Sequence, residues 1–470
     1  MMYNLVMEVK WYNFAAQIYK ELNKVNSSLI FQFLQNNGFD NIVNKVSNFD
    51  FSNVDENWIN EIIKEINEQK FENAILFLKA IDISINEDTI ETVKYNNGLL
   101  NNNCDELLVY VSYGHLDHYN HAHENLNTFF ENIYFIDLSH FSGICSNNTI
   151  KNVYYDNSSK TKLDSIKLVF LPYPYNEDLK FNEDGYIRGE KLVNFLYDKK
   201  LKDKSDSLFL NRFTNYCEKE NFSINNVLFF SPEMMGSSKI DSFIYDKLKA
   251  NRDIIGYFCP SYHERLDDNK IKNSAKLYTF QNRAVVQLEL VKHNRASSEG
   301  LIENITGDFG INVFILHIKG FGKIMFLICK DFISDEYNKL IESIMPEIIV
   351  VQAYSTKFSP FITMARSICC NNSYVFIGNS CNAAKQEKAM PKLMIIAKKN
   401  TGKEDEETLV ESIDVCDVKS FSECCNKETC YHAFSCFKRV NTQPKHFKTG
   451  NKYVKHPTTF VEIIKEEENE

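Results

Sequence analysis

One apolar run, Lys323-Ile-Met-Phe-Leu-Ile-Cys-Lys-Asp-Phe-Ile333, is broken by a single cysteine. Residues 324 to 328 are β-branched, aromatic or long aliphatic, which predicts a strand buried on both faces. Cys329 follows at its carboxyl end, and Ser334 then caps a segment with helical apolar spacing. We therefore predict a thiol at a strand-to-helix turn, where backbone N–H groups favour the thiolate. A buried structural cysteine is the alternative interpretation.

Two further polar residues stand at the ends of apolar runs. Asn226-Val-Leu-Phe-Phe-Ser-Pro-Glu-Met-Met-Gly236 leads into Glu233, and Val285-Val-Gln-Leu-Glu-Leu-Val-Lys-His293 ends near Lys292. Each residue alone is ordinary, since Glu and Lys usually lie on the solvated surface. If the three runs are neighbouring strands of one sheet, however, a carboxylate, an ammonium group and a thiol meet at the same edge.

In chain order, Glu233, Lys292 and Cys329 resemble the Glu-Lys-Cys triad of the nitrilase, or carbon–nitrogen hydrolase, superfamily. The other segments that resemble this family are Pro232-Glu233 with Gly236, Asp253-Ile-Ile-Gly-Tyr-Phe258, Lys272-Asn-Ser-Ala275, Pro346-Glu-Ile-Ile-Val-Val-Gln-Ala-Tyr354 and Met364-Ala-Arg-Ser-Ile-Cys-Cys-Asn-Asn-Ser-Tyr-Val-Phe-Ile-Gly-Asn379. These motifs are individually weak and collectively specific. The resemblance covers residues 165 to 418 and implies an α/β fold, the family's four-layer αββα sandwich.

The resemblance also implies a role for each triad residue. Cys329 is the expected nucleophile and Glu233 its base. Lys292 and the backbone N–H of Lys330 are expected to hold the negative charge that develops on the substrate. No metal or organic cofactor is required.

A second carboxylate is expected to hydrogen-bond the catalytic lysine. In the resembled family this glutamate often follows the lysine by seven or eight positions. Glu299 lies seven residues after Lys292, whereas Glu303 lies eleven after it. We therefore predict Glu299 rather than Glu303 as the fourth member of the site.

The implied activity is hydrolysis of a small, non-peptide amide, with nitrile hydrolysis or acyl transfer as variants. The alternative is a catalytically silent relative, in which the sandwich is a scaffold or ligand sensor and the N-terminal region binds a partner. The intact triad favours the enzyme. The resemblance further implies a homodimer, which pairs through the helix at residues 361 to 371.

Domain organisation follows from the pattern along the chain. Residues 1 to 104 are predicted to be a mainly helical accessory region, because apolar residues such as Ile59, Ile62 and Ile66 recur at helical spacing. Residues 105 to 164 form a mixed segment, 165 to 418 the hydrolase-like domain, and 419 to 470 a Cys-containing tail. Within the domain we predict a helix at residues 192 to 197, a solvated loop at 198 to 205 and a helix at 208 to 217.

Composition excludes several classes of protein. The 470 residues carry a net charge of -10 without a basic run, which argues against a nucleic-acid-binding protein. No apolar run approaches the roughly 18 residues that cross a bilayer. Thirteen cysteines are scattered along the chain, and the N-terminus has no basic start, so we expect a cytoplasmic protein with reduced thiols.

Two clusters of possible metal ligands occur outside the triad. Gly114-His-Leu-Asp-His-Tyr-Asn-His-Ala-His123 resembles half of the His-x-His-x-Asp-His motif of metallo-β-lactamase-fold hydrolases, with Tyr113 at the first histidine position. We expect a polar loop or a degenerate relic there. The second cluster comprises Cys424, Cys425, Cys430, His432 and Cys436. It lacks the paired Cys-x-x-Cys spacing of zinc knuckles, so buried or incidental thiols are the favoured interpretation.

Overall fold

The structure is a computed structural model. It describes residues 9–37, 39–46, 49–85, 87–94, 97–100, 107–112, 126–130, 132–138, 150–156, 165–177, 180–187, 189–196, 198–219, 226–267, 270–298, 300–306, 311–319, 321–370, 373–387, 391–398, 410–427, 430–439 and 460–466.

Helices dominate the first hundred residues. The helices described there are α1 (Val9–Asn23), α2 (Ser27–Asn37), α3 (Phe39–Val46), α4 (Glu56–Asn67), α5 (Glu72–Ser84) and α6 (Glu87–Val93). The amphipathic pattern explains why they form: Asp55 caps α4 by accepting the Trp58 N–H at 2.8 Å, and Ile59, Ile62 and Ile66 on one face are buried. These helices share an apolar core with the antiparallel pair β1 (Leu107–Val111) and β2 (Ile133–Asp137).

The rest of the described chain is mixed α/β, with strands in several sheets. The strands after β2 are β3 (Ile150–Tyr154), β4 (Ser165–Phe170), β5 (Lys180–Ile187), β6 (Glu190–Leu196), β7 (Val227–Phe230), β8 (Ile254–Phe258), β9 (Tyr262–Arg265), β10 (Ile271–Gln281), β11 (Ala284–Val291), β12 (Ser297–Ser298), β13 (Leu301–Glu303), β14 (Val313–Ile318), β15 (Gly322–Ile328), β16 (Ile348–Ala353), β17 (Tyr374–Asn379), β18 (Lys392–Ala397), β19 (Val410–Asp414), β20 (His432–Arg439) and β21 (Phe460–Glu466). The later helices are α7 (Lys199–Lys219), α8 (Ser238–Ala250), α9 (Asp335–Ile344), α10 (Ser359–Cys370), α11 (Cys381–Ala384) and α12 (Phe421–Asn426).

Two large sheets carry the residues of interest. The first has the order β11-β10-β8-β7-β4-β20-β21, with β9 paired to β10, and the second has the order β19-β18-β17-β16-β15-β14-β3. Their side chains share one apolar core: the rings of Phe258 and Phe326, from different sheets, lie 5.1 Å apart. Gly378 of β17 packs against the Phe170 ring of β4 in the other sheet. A Cβ at position 378 would lie 2.2 Å from that ring, so this packing requires glycine. Strand ends of both sheets can therefore contribute to one site.

A smaller sheet has the order β12-β13-β6-β5. It shows that the helix predicted at residues 192 to 197 is wrong, since residues 192 to 196 lie in β6. Pairing with both β5 and β13 outweighs a short local pattern. The loop predicted at residues 198 to 205 is also wrong, because Asp198 accepts the Leu201 N–H at 3.0 Å and starts α7. The helix predicted at residues 208 to 217 is confirmed as part of α7.

The sheets extend past the predicted ends of the hydrolase-like domain. Strand β3, from the preceding segment, pairs with β14, and β20, from the tail, pairs with β4. The boundaries at residues 165 and 418 stay predictions, but strands from both sides complete the two sheets. Among the described helices, none combines the length and apolar character needed to cross a membrane.

Candidate active site

Cys329 occupies a tight turn after the central strand β15. The turn is a 3-10 helix, Cys329–Ile333, which ends at Ser334, and the Ser334 side chain then caps α9. Cys329 has a φ of 45°, a left-handed conformation that non-glycine residues rarely adopt. Its side chain is 4% exposed. The structure therefore places the thiol at a strand-to-helix turn, as the sequence predicts.

Glu233 and Lys292 meet at this turn although 59 residues separate them. Glu233 follows β7 in the first large sheet, and Lys292 follows β11 at the edge of the same sheet. Lys292 Nζ donates to Glu233 Oε1 at 2.6 Å, and both side chains are almost completely buried. The Tyr354 N–H, beyond the end of β16, donates to Glu233 Oε2 at 2.9 Å. The structure thus brings the three predicted triad residues together.

The carboxylate on the other side of Lys292 belongs to Glu303. Lys292 Nζ donates to Glu303 Oε2 at 2.5 Å. Glu299, the residue predicted for this contact, lies outside the described residues and its part in the site stays a prediction, whereas Glu303, which the sequence analysis did not prefer, makes the contact. The chain reverses between β12 and β13, so that Glu303 N–H donates to the carbonyl of Ala296 at 2.8 Å. This reversal brings the more distant residue in sequence back to Lys292.

Two residues that the sequence reasoning did not assign to the site also contact Glu303. Asn273 Nδ2 donates to Glu233 Oε1 and to Glu303 Oε1, both at 2.8 Å. His263 Nε2 lies 3.1 Å from Glu303 Oε1. Asn273 stands in a segment that resembles the family, and His263 is its partner on the neighbouring strand β9. The family-like segment was the signal that could have identified Asn273, whereas His263 reaches the site through cross-strand register, which the sequence does not report.

Asp331 connects the nucleophile turn to the chain beyond β11. Its carboxylate accepts the N–H groups of His293 at 3.1 Å and Asn294 at 2.7 Å. Burial raises the pKa of Asp331 to about 7, and these backbone donors oppose the rise. Because Asp331 is two residues after Cys329 and its partners directly follow Lys292, these bonds fix the thiol relative to the ammonium group.

The charges of the site shift the pKa values of the two carboxylates in opposite directions. Burial alone would lower the pKa of Lys292, but Glu233 and Glu303 hold it well above its usual value. Burial raises the pKa of Glu233 despite the opposing charge of Lys292, and Glu303 raises it further. Burial would also raise the pKa of Glu303, but Lys292 and His263 lower it below its usual range. Glu303 is therefore the stronger acid, and Glu233 is the better base.

Burial raises the pKa of the Cys329 thiol well above its ordinary value, and the charge of Glu233 adds to this effect. Lys292 and a hydrogen bond from the Tyr354 backbone only partly oppose the rise. A backbone N–H group thus favours the thiolate, as the sequence predicts, but it does not offset burial and the charge of Glu233, and the pKa of Cys329 stays raised.

A cavity of about 340 Å³ opens onto these groups. Cys329, Glu233, Lys292 and Glu303 all line it, and Lys330 lies at its wall beside the nucleophile. This volume is in the range of small-molecule sites. Val193 of the hairpin β5–β6 forms another part of the wall, so the small four-stranded sheet contributes to the site.

Neither of the two clusters of possible metal ligands forms a metal site within the described residues. The histidines at positions 115 to 123 lie outside the described residues, as does the side chain of Cys436. Arg212 Nη2 donates to the carbonyl of Cys424 at 2.6 Å, which places a cation beside this thiol. Over the described part of the chain, no group of three or more His, Cys, Asp or Glu residues has an arrangement that could hold a metal ion.

No family model matches this chain, and no curated protein matches it. Several solved structures are similar. Nit3 of Saccharomyces cerevisiae, a member of branch 10 of the nitrilase superfamily, is 15% identical with a TM-score of 0.36, over 55% of this chain and 89% of Nit3. A carbon–nitrogen hydrolase from Helicobacter pylori is 13% identical with a TM-score of 0.35, over 53% of this chain and 86% of that chain.

The glutamine-dependent NAD+ synthetase of Acinetobacter baumannii is 12% identical with a TM-score of 0.35, over 58% of this chain. The match spans 45% of the synthetase, less than half of its length. Of these three, Nit3 is described as a member of the nitrilase superfamily, the family that the sequence of this chain resembles.

Proposed function

We propose that this chain is a carbon–nitrogen hydrolase that cleaves a small, non-peptide amide or nitrile through a thioester at Cys329. The observation that carries the proposal is the convergence of Cys329, Glu233 and Lys292 on one cavity, with Glu303 on the far side of Lys292. A nucleophile, a base and a cation within one small-molecule cavity are the parts that acyl transfer needs.

The first half of the reaction forms the thioester. Glu233 takes the thiol proton of Cys329, and the sulfur attacks the carbonyl carbon of the amide. The negative charge then moves to the substrate oxygen, where Lys292 and the backbone N–H of Lys330 stabilise it. Glu233 returns the proton to the nitrogen as the C–N bond breaks, so that ammonia or an amine leaves.

The second half regenerates the thiol. A water molecule gives its proton to Glu233 and attacks the thioester carbon. Lys292 again stabilises the oxyanion, and the proton on Glu233 passes to the departing sulfur. The carboxylic acid product leaves and the site returns to its starting charge. Because Glu303 is ionised, it keeps Lys292 protonated throughout, and only the protonated amine stabilises an anion.

The proposal includes the four-layer αββα sandwich for the hydrolase-like domain. Ring contacts between the two large sheets, such as Phe376 with Phe434 at 5.7 Å, support the two inner layers. Contacts of α8 with β8, β10 and β11, and of α10 with β17, β18 and β19, support the outer layers.

The test is a panel of small amides and nitriles incubated with the purified chain, with release of ammonia or amine as the readout. We expect turnover of at least one amide, together with an acyl-enzyme at Cys329 in intact-mass spectra. Adding hydroxylamine distinguishes acyl transfer, because it converts the thioester into a hydroxamate. A wild-type chain that turns over no member of the panel and forms no adduct would support the silent-scaffold alternative.

The homodimer implied by the resemblance is also a proposal. Its helix corresponds to α10 (Ser359–Cys370), whose first turn lies near the cavity through Pro360 and Phe361. Light scattering at micromolar concentration tests this proposal, and a monomeric mass would contradict it.

A further inference from the structure

Glu233 and Glu303 lie on either side of Lys292 and share two donors. Lys292 Nζ donates to Glu233 at 2.6 Å and to Glu303 at 2.5 Å. Asn273 Nδ2 donates to both carboxylates at 2.8 Å. These shared donors do not distinguish one carboxylate from the other.

Each carboxylate also accepts one backbone N–H of its own. Tyr354 provides it to Glu233 at 2.9 Å, and Ala296 provides it to Glu303 at 3.0 Å. Within the described part of the chain, the two carboxylates then differ in one further neighbour each. Glu233 faces the Cys329 thiol, and Glu303 faces the imidazole of His263.

His263 is held in place by the strand register. It lies opposite Asn273 on β9 and β10, and the Lys292 N–H donates to the Asn273 carbonyl at 2.8 Å across β10 and β11. His263, Asn273 and Lys292 thus form a row of donors across three strands. The His263 side chain is 11% exposed, and the described residues that line the cavity do not include it.

We propose that His263 is a positioning residue that makes Glu303 the permanently ionised partner of Lys292 and thereby leaves Glu233 as the base. This inference rests on the proposed function. An ionised carboxylate only accepts hydrogen bonds, so the contact at 3.1 Å has His263 Nε2–H as the donor. That donor favours the charged form of Glu303. Two carboxylates with different environments can then take different roles.

Three groups face the two carboxylates: Lys292 between them, the Cys329 thiol beside Glu233, and the His263 ring beside Glu303. Without the His263 donor, ionised Glu303 is less stable, so the coupled pair takes up a proton at higher pH. A proton on the pair also weakens the attraction on Lys292 and removes the base for Cys329.

The experiment measures two pH profiles in wild type and in His263→Phe, which keeps a ring but removes the donor. The first is kcat/KM for the best amide, and the second is the rate at which iodoacetamide alkylates Cys329, followed by intact mass. We expect the acid limb of both profiles to move to higher pH by about one unit in His263→Phe. At the optimum of wild type, kcat should fall about tenfold with KM within about twofold, because His263 does not line the cavity.

Two controls separate positioning from simple structural damage. His263→Gln retains a side-chain N–H and should restore the wild-type limb. His432→Phe is the matched substitution, because His432 lies on β20 opposite Phe170 of β4 and is not among the residues that contact either buried carboxylate in the described chain, and it should leave the limb unchanged. If His263→Phe does not fold, His263→Leu provides the same comparison.

The inference would be overturned if the acid limb lay at the same pH in wild type and in His263→Phe. It would also be overturned if His263→Gln shifted the limb as far as His263→Phe does. Failure of the proposed function is distinguishable from this, since it would appear as wild type with a reactive Cys329 and no amide turnover. The alkylation profile tests the inference in that case too.

Discussion

The described chain contains two buried places where a cysteine, a lysine and a carboxylate meet. The Cys329 cluster comprises Cys329, Lys292 and Glu233, and the Cys259 cluster comprises Cys259, Lys276 and Asp241. Both cysteines directly follow a strand, β15 in one case and β8 in the other. The ion pair measures 2.6 Å in the Cys329 cluster and 2.8 Å in the Cys259 cluster.

The electrostatic directions are also the same in both clusters. Burial raises the pKa of both thiols well above the ordinary value. Burial likewise raises the pKa of Glu233 and of Asp241 against the opposing charge of a lysine. The residue types, the ion pair between lysine and carboxylate and the directions of these pKa shifts therefore do not distinguish the two clusters.

Access and shape distinguish them. Cys329 adopts a φ of 45° and lines a cavity of about 340 Å³. Cys259 is completely buried, and its backbone N–H donates to the Lys276 carbonyl at 2.8 Å within the sheet. Lys292 has a second carboxylate, whereas Lys276 has 21% of its side chain exposed. A substrate can therefore reach the Cys329 cluster, whereas Lys276 is partly exposed and has Glu289 as its cross-strand partner.

The largest expected contrast is between the two cysteines. Cys329→Ala should lower kcat/KM by at least about 1,000-fold, because no other group in the cavity replaces the nucleophile. Cys259→Ala should leave kcat/KM within about twofold, although the lost packing lowers stability. Steady-state kinetics on the best amide, with circular dichroism to check folding, measure both. Equal losses in the two variants would show that the cavity does not define the site.

The two lysines are the next comparison. Lys292→Met leaves two buried carboxylates without their cation, so we expect at least about a 100-fold loss of kcat and destabilisation by about 3 to 5 kcal/mol. Lys276→Met removes a partly exposed ion pair and should cost at most about 1 kcal/mol. Urea denaturation and kinetics provide the two readouts. A neutral effect of Lys292→Met on both would contradict the proposed oxyanion role.

The second carboxylate extends the comparison, because Glu303 is hydrogen-bonded to Lys292 at the cavity, whereas Glu289 acts on Lys276 through its charge. Glu303→Gln should lower kcat by at least about tenfold, an effect of about 1.4 kcal/mol on the barrier. Glu299→Gln should change kcat little. The same assay at one pH ranks the two variants, and the reverse ranking would return the role to Glu299.

Lys323, another buried lysine, gives the smallest expected effect. Burial lowers the pKa of Lys323 to about 8, and the charge of Glu347 only partly opposes this effect. The ammonium group lies 4.7 Å from the Tyr134 ring. The folded state therefore binds this proton less tightly than the unfolded state. Lys323→Met should raise the free energy of unfolding at pH 7 by about 1 kcal/mol.

The difference in the free energy of unfolding between wild type and Lys323→Met should decrease as the pH rises. Below pH 8, Lys323 is charged in both states and the full cost is present. As the pH rises from about 8 towards the unfolded value, wild type gains stability and the difference from Lys323→Met should shrink. Urea titrations at pH 7 and pH 9.5 measure this difference. A difference that grows with pH would show that Lys323 is stabilised as a cation.

Local patterns were sufficient to predict much of the site. The apolar runs before Glu233, Lys292 and Cys329 are strands or lead directly from them, because uninterrupted β-branched and aromatic residues pack as buried strands. Ser334 caps α9 because its hydroxyl accepts an orphan N–H of the first helical turn. These features depend on neighbouring residues in the chain, so the sequence alone determines them.

The tertiary structure decided what depends on strand pairing and burial. Glu303 contacts Lys292, eleven residues before it, because the chain turns back at Gly300, whose φ of 78° suits glycine, so that spacing along the chain does not measure distance in space. His263 joins the site through cross-strand register, which no local pattern reports. The Cys329 thiol is protonated because the folded interior, rather than the adjacent turn, sets its pKa.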